Sequence, residues 1–99
     1  MKIVFFYFLK KTQLVNSRNV TIENVKITGE GAHYSPKMYH SSDNLVQNVT
    51  VEAKVTHGPG LEGCSFGNVY RNLDYTYSAP IDLHGIAGAG FCPPMYNLF

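Results

Sequence analysis

Apolar and polar residues alternate in short stretches along this chain, and one such stretch occurs three times. In residues 20–27, apolar side chains lie at Val20, Ile22, Val25 and Ile27, with polar residues between them and Asn24 near the middle. Residues 44–51 and 68–75 repeat this pattern. Alternation with a period of two residues is typical of a half-buried β-strand. Each stretch therefore predicts two short strands that meet at a corner on the asparagine.

The corner asparagines Asn24, Asn48 and Asn72 are spaced 24 residues apart. A repeat of this length without a 3.6-residue periodicity predicts stacked, parallel β coils. Asparagine suits the corners because it tolerates a left-handed backbone, and stacked amides can hydrogen-bond as a ladder from coil to coil. Asn97 matches the first asparagine of a fourth copy, provided that the third coil contains extra residues. We expect these around residues 78–80 or 87–94.

A leucine-rich repeat is the main alternative with a similar period. Its motif places asparagine after a Leu-x-Leu strand and returns through a helix or 3₁₀ segment. Here leucine is sparse, and the return segments are rich in Gly, Pro and Tyr. The sequence therefore favours an all-β solenoid of about three to four coils.

The 99 residues suffice for one small domain. Residues 16–99 form the repeated coils, and residues 1–15 are predicted as a leading strand or the remnant of a preceding coil. The apolar run in residues 3–9 is far shorter than the roughly 20 residues of a membrane span and lacks a signal-cleavage pattern. Since repeat proteins need polar capping units, we expect a partial domain that continues into further coils of a parent chain.

Charge and cysteine content exclude several classes of function. The formal net charge is +1 and the Lys and Arg residues are scattered, which argues against nucleic-acid binding. Two cysteines, Cys64 and Cys92, lack the paired spacing of a zinc site. We expect free or buried thiols there, with a single disulfide as the less favoured alternative. No cofactor is indicated.

The repeated Asn-Val-Thr-Ile-Glu-Asn-Val-Lys-Ile motif, over about residues 16–99, resembles the coils of the right-handed parallel β-helix in the pectin-lyase-like superfamily. That resemblance implies a secreted or periplasmic polysaccharide lyase or glycoside hydrolase, or a related tailspike or surface protein. It also implies a substrate groove along an outer sheet and its loops. The motif belongs to the scaffold, however, and a scaffold does not define a reaction.

The segments between the asparagine corners contain all four histidines. His33 and His57 are 24 residues apart, and His57-Gly58 matches His84-Gly85 once the extra residues are allowed for. A second register places His40 over Cys64 instead, and the sequence does not decide between the two. In the first register, His57 and His84 lie close to Asp82 and Glu62. A histidine partnered by a carboxylate can transfer protons, so we predict these four as catalytic residues.

The predicted substrate-binding residues are Lys37, Arg71, His33 and Tyr70. A lyase needs a cation to neutralise a uronate, for which Lys37 and Arg71 are the candidates, and an outward tyrosine can stack on a sugar ring. Hydrolysis would instead use two carboxylates. A column of histidines that only bonds neighbouring backbone is the alternative, and no metal site is predicted. The predicted function is cleavage or binding of polysaccharide, and the alternative is a non-catalytic adhesin or tailspike-like β-helix.

Overall fold

The computed structural model describes residues 2–4, 8–9, 12–28, 30–34, 36–77, 79–84 and 92–99, with side chains described from Thr12 onward except in residues 30–34. Within these residues every regular element is a β-strand, which confirms the all-β prediction. The strands are β1 (Lys2–Val4), β2 (Phe8–Leu9), β3 (Gln13–Val15), β4 (Thr21–Ile27), β5 (Glu30–Tyr34), β6 (Lys37–Tyr39), β7 (Leu45–Val51), β8 (Lys54–His57), β9 (Gly60–Glu62), β10 (Val69–Tyr75) and β11 (Asp82–His84).

The described strands form three sheets, and every strand pair is parallel. The first sheet has the order β1-β4-β7-β10, with β2 also paired to β4. The second has the order β11-β9-β6-β3, and the third pairs β5 with β8. In the first sheet, Ile22 pairs with Val46 and Val46 with Tyr70. Equivalent residues of successive repeats therefore lie side by side, as the 24-residue period predicts.

The apolar side chains of the alternating pattern make up the core. The first sheet contributes Ile22, Val25, Val46 and Val49, and the second contributes Met38 and Leu61, each at most 3% exposed. Burial of an aliphatic side chain contributes roughly 1.5–3 kcal/mol. Because one face of each strand is buried in this way, a slip of one residue would turn its whole apolar set outward.

The prediction of two strands that meet at each asparagine is wrong, because β4, β7 and β10 each run as one strand through Asn24, Asn48 and Asn72. The predicted left-handed backbone at these asparagines is confirmed. Asn24, Asn48 and Asn72 have φ between 54° and 59°, in the left-handed region. Their amides form a ladder, in which Nδ2 of Asn48 donates to Oδ1 of Asn24 (3.4 Å) and Nδ2 of Asn72 donates to Oδ1 of Asn48 (2.7 Å). The amides of Asn48 and Asn72 therefore tie each strand to the equivalent strand of the preceding repeat.

A second asparagine ladder is buried. Nδ2 of Asn44 donates to Oδ1 of Asn68 (3.0 Å), and Nδ2 of Asn68 donates to Oδ1 of Asn97 (3.0 Å). Asn97 lies 29 residues after Asn68, which confirms that it continues the repeat and that the third coil is longer. Each residue of β11 pairs with the residue 22 positions earlier in β9, whereas Met95 pairs with Phe66, 29 positions earlier. The offset exceeds 24 only after β11, so the extra residues lie between His84 and Met95. Most of that interval lies outside the described residues.

The prediction of free thiols is wrong. Cys64 and Cys92 form a disulfide with their Cα atoms 5.0 Å apart. Because the extra residues separate the two cysteines by 28 positions, the 24-residue repeat alone does not align them. The bond ties the end of the lengthened segment to the second coil.

Candidate functional site

The second sheet positions most of the candidate residues. Its strands are so aligned that Leu14, Met38, Leu61 and Leu83 form one column, of which the first three are buried. The residues on either side of that column face outward, because side chains alternate along a strand. They form two rows on the outer face, namely Gln13, Lys37, Gly60, Asp82 and Val15, Tyr39, Glu62, His84.

The Asp82 carboxylate lies between two imidazoles. Nδ1 of His57 is 3.2 Å from Oδ2 of Asp82, and Nε2 of His84 is 3.2 Å from Oδ1. The two imidazole rings have centroids 6.4 Å apart. Asp82 is only 13% exposed, whereas His57 is 28% and His84 50% exposed. A shielded carboxylate of this kind orients both rings and favours a proton on the nitrogen that faces it.

Nδ1 of His57 lies close to the Asp82 carboxylate, but the angles of this contact depart from those of a hydrogen bond. Oδ2 of Asp82 is buried and has no donor with hydrogen-bond geometry among the described residues, although Nδ1 of His57 lies 3.2 Å away. A small rotation of either side chain aligns the pair. Directional contacts in an acid–base site often tighten only when substrate binds.

Glu62 extends the cluster across the sheet. Its Oε1 is 3.7 Å from Nδ1 of His84, and its Oε2 is 3.0 Å from Nζ of Lys37. Lys37 also lies 5.7 Å from the centroid of the Tyr39 ring. The Lys37–Glu62 pair is about 85% shielded from solvent, so the two charges interact more strongly than an exposed pair would. The cluster is thus a line of alternating imidazoles and carboxylates that ends in an ammonium group.

The turn after β8 brings His57 to this face. The backbone N–H of Gly58 donates to C=O of Pro80 at 2.6 Å, and a Cβ atom at Gly58 would lie only 3.0 Å from that oxygen. Glycine therefore permits the close approach of the second coil to the segment that begins β11. His57 and Asp82 meet because these two backbones touch.

The four predicted catalytic residues come together, but not through the first predicted register. Tyr34 rather than His33 pairs with His57, because a bulge shifts the register between Glu30 and Ala32. His84 pairs with Glu62 and not with His57. The column of His33, His57 and His84 is therefore wrong, and the side chain of His33 lies outside the described part.

Two predicted substrate-binding residues lie elsewhere. Tyr70 is 2% exposed and its hydroxyl donates to C=O of Gly60 (2.9 Å), so the prediction that it stacks on a sugar is wrong. Burial, and to a lesser extent the charge of Tyr75, raise the pKa of Tyr70 well above its ordinary value. Arg71 lies on the first sheet, where its guanidinium donates to Oε1 of Gln47 (2.6 Å). Of the two predicted cations, only Lys37 joins the cluster.

The second predicted register, which places His40 over Cys64, is confirmed. Its Nδ1 accepts a hydrogen bond from the backbone N–H of Cys64 (3.1 Å), and its ring packs against Gly63. His40 is thus a histidine that bonds neighbouring backbone, as the alternative reading of the histidines described. Its ring is also in edge contact with Tyr39, at 4.2 Å between centroids. The sequence did contain a signal for the position of Tyr39. Lys37 and Tyr39 flank the apolar Met38, and this alternation places both side chains on the same face of the strand.

Within the described residues, no three His, Cys, Asp or Glu side chains are grouped as metal ligands. The same part of the chain contains no helix with the length and apolar character to span a membrane. Comparison with protein-family models, curated proteins and solved structures gave no match. The described residues thus form an all-β protein with parallel sheets and a carboxylate–imidazole cluster on one outer face.

Proposed function

We propose that the chain forms coils of a right-handed parallel β-helix of the pectin-lyase-like type. The proposal is supported by parallel pairing of successive repeats in each sheet and by left-handed asparagines at equivalent corners. Both features are what the sequence motif of that superfamily leads one to expect. As part of this proposal, the described coils belong to a larger β-helix in a parent protein.

The function that the cluster supports best is proton transfer during cleavage of a polysaccharide on the outer face of the second sheet. The single observation that carries it is the Asp82 carboxylate held between His57 and His84, with Nδ1 and Nε2 each 3.2 Å from an oxygen. A base oriented by a carboxylate is the arrangement that general acid–base catalysis requires. His57 and His84 are the proton-transfer groups, and Asp82 orients them.

Glu62 and Lys37 supply the remaining charges. In a β-elimination, one imidazole removes the proton next to a uronate carboxylate, a C=C bond forms as the bond to the glycosidic oxygen breaks, and the other imidazole protonates that departing oxygen. The Lys37 ammonium offsets the charge that develops on the uronate. In a hydrolysis, Asp82 and Glu62 act as the carboxylate pair. The His84 imidazole lies between them, 3.2 Å from Oδ1 of Asp82 and 3.7 Å from Oε1 of Glu62. The separation of two such carboxyl groups is ~5 Å in retaining enzymes and ~6.5–9.5 Å in inverting ones.

The disulfide between Cys64 and Cys92 supports a secreted or periplasmic location, because disulfides persist mainly in oxidising compartments. Polysaccharides are also met there. We include this location in the proposal for the parent protein.

A non-catalytic carbohydrate-binding or structural β-helix is the second candidate. It is favoured by His40, whose ring bonds backbone and has no carboxylate partner among the described contacts. It is also favoured by the Lys37–Glu62 pair, whose charges are already compensated. In that case the outer face binds a sugar chain without turning it over.

One experiment separates the two candidates. The chain is incubated with neutral and uronate-containing polysaccharides, and new reducing ends, unsaturated products and binding heat are recorded. His57→Ala and Asp82→Asn should lower cleavage about 100-fold or more while retaining the fold, since positioned acid–base groups contribute ~10²–10⁴-fold. Glu52→Gln, in the exposed pair with Lys26, is the matched control and should cleave as wild type.

The outcomes are distinct. Unsaturated products identify a lyase, and reducing ends without them identify a hydrolase. Cleavage that survives both substitutions contradicts the assignment of the cluster. Binding without turnover in the wild type, lost in the His57→Ala variant, selects the non-catalytic candidate, and absence of both binding and cleavage contradicts the polysaccharide proposal.

A further inference from the structure

Tyr39 is a partly exposed aromatic residue on the outer face of the second sheet, beside the carboxylate–imidazole cluster. It pairs with Glu62, and Glu62 pairs with His84, so the three residues follow one another across the strands. Adjacent strands lie about 4.8 Å apart, which places Tyr39 about 10 Å from His84. The proton-transfer roles of the cluster do not use Tyr39.

The ring of Tyr39 is held by its neighbours. The His40 ring contacts it edge-on, with the centroids 4.2 Å apart and the ring planes at 74°. His40 is itself fixed, because its Nδ1 accepts a hydrogen bond from the backbone N–H of Cys64 and its ring packs against Gly63. Nζ of Lys37 lies 5.7 Å from the centroid of the Tyr39 ring. A ring that is fixed before a ligand arrives loses little conformational entropy on binding.

The charged groups beside Tyr39 compensate each other. Nζ of Lys37 is 3.0 Å from Oε2 of Glu62, so this pair offers an ammonium donor and a carboxylate acceptor without net charge. A sugar hydroxyl both donates and accepts hydrogen bonds, and the edge of an uncharged sugar therefore matches the pair. A uronate carboxylate, by contrast, has to compete with Glu62 for the Lys37 ammonium.

The Tyr39 ring suits the other surface of a sugar. The face of a pyranose ring carries C–H groups, and the face of an aromatic ring is apolar with a partial negative charge. Tyr39 thus supplies apolar contact, whereas Lys37 and Glu62 supply hydrogen bonds. Apolar contact combined with a few oriented polar groups is the usual composition of a small-molecule site.

We propose that Tyr39, Lys37 and Glu62 form a subsite for one uncharged sugar unit of a polysaccharide that runs across the strands. This inference rests on the proposed function and adds where the polysaccharide is held and which sugars are accepted. A unit seated on Tyr39 lies about 10 Å from His84, so Tyr39 positions the substrate and takes no part in proton transfer. Further coils of a parent chain extend the sheet at its strand edges and leave this face uncovered.

Binding of hexasaccharides to the 99-residue chain tests the subsite. The probes are unbranched hexasaccharides of glucose, mannose, xylose and galacturonate, titrated by calorimetry. We expect the wild type to bind at least one uncharged probe more tightly than the galacturonate probe. Tyr39→Ala should weaken that binding about tenfold, which corresponds to ~1.4 kcal/mol. Where the probe is cleaved, the same variant should raise KM and leave kcat nearly unchanged, because the lost contact is uniform binding.

Two further variants separate the ring from the charges. Tyr39→Phe keeps the ring and should bind the uncharged probe as the wild type does. Glu62→Gln removes the charge that compensates Lys37 and should strengthen binding of the galacturonate probe several-fold. A Tyr39→Phe variant as weak as Tyr39→Ala contradicts the role of the ring, and unchanged galacturonate binding in Glu62→Gln contradicts the role of the charge pair.

Tyr77→Ala is the matched control. Tyr77 also lies against a lysine, with Nζ of Lys54 5.4 Å from its ring centroid, but it follows β10 and lies outside the second sheet. This variant should bind every probe as the wild type does, and circular dichroism confirms that each variant is folded. A wild type that neither binds nor cleaves any polysaccharide overturns the proposed function and the subsite together. A wild type that prefers galacturonate, or a Tyr39→Ala variant that binds like the wild type, overturns the subsite alone.

Discussion

The buried asparagine ladder should contribute more to stability than any exposed ladder residue, and Asn68→Ala tests this directly. Asn68 is 1% exposed. Its Nδ2 donates to C=O of Ser41 (2.8 Å) and to Oδ1 of Asn97, and its Oδ1 accepts from the backbone N–H (3.1 Å) and from Nδ2 of Asn44. Alanine removes all four hydrogen bonds at once.

The loss in free energy of unfolding depends on which groups are left without a hydrogen-bond partner. C=O of Ser41 still accepts from the N–H of Phe66, and Nδ2 of Asn44 still donates to C=O of Ser17. The backbone N–H of Asn44 has no other described acceptor, and a buried orphan donor costs ~1–3 kcal/mol. With smaller losses from the other three bonds, we expect the free energy of unfolding to fall by about 3 kcal/mol. This is a large part of the ~5–15 kcal/mol that stabilises a typical domain.

Asn72→Ala is the matched control in the exposed ladder. Its one described side-chain bond, to Oδ1 of Asn48, is solvent-exposed, and alanine at φ 56° adds a modest backbone strain. We expect a loss of about 1 kcal/mol. Urea unfolding followed by circular dichroism measures both variants, and an unchanged m-value shows that the unfolded states are comparable. A loss for Asn68→Ala no larger than that for Asn72→Ala refutes the reasoning.

Two further substitutions test buried contacts. Tyr70→Phe removes the hydroxyl that donates to C=O of Gly60 and should cost about 1–2 kcal/mol in urea unfolding. Burial raises the pKa of Tyr70 in the folded protein above 10.0. The neutral Tyr70 hydroxyl therefore stabilises the folded state fully below about pH 10, and this contribution is lost as the pH rises towards the pKa of the folded state. The variant should therefore lose less stability than wild type between pH 9 and about 11, and an identical alkaline loss argues against this. Gly63→Ala places Cβ against the imidazole ring of His40, and should lower the melting temperature more than Gly67→Ala, whose clash is with one Asp43 oxygen. Equal shifts would contradict the packing argument.

The sequence predicted the features of this fold that depend on period and conformation. Alternation around Asn24, Asn48 and Asn72 predicted strands there, although each stretch forms one strand rather than two, and the 24-residue spacing predicted the parallel pairing of the first sheet. Such features are predictable because each is set by local residue type and repeated in every copy. The position of Asn97 was predictable for the same reason, since its amide has an equivalent partner in each coil.

The sequence contains Asn44 and Asn68 at equivalent positions of two repeats, but it does not distinguish this buried ladder from the exposed ladder at the corner asparagines. Both asparagines precede an apolar alternation, and only the structure shows that these amides point into the core. Their equivalent in the first copy is Val20, whose backbone N–H donates to Oδ1 of Asn44 (2.8 Å). Because the residue type at this position differs between the repeats, the sequence alone does not indicate a ladder there.

Tyr70 shows a different limit. Strand alternation fixes which residues share a face, but it does not say which face is the core when the strand carries both tyrosine and arginine. Packing decided the question, since the Tyr70 hydroxyl finds C=O of Gly60 inside the protein. The disulfide was missed because the lengthened segment before Cys92 has no counterpart in the other coils.

The cluster itself arises where the 24-residue register fails. In a perfect repeat, His57 would face Ile81, and Glu62 would face a residue beyond His84. The 22-residue offset of β11 from β9 instead places His84 beside Glu62 and brings Asp82 within 3.2 Å of His57. A perfect repeat of identical residues tends to stack like on like, and like charges on adjacent strands repel. Departures from the period are therefore what bring an acid and a base together, which is why the predicted residues meet although the predicted column is wrong.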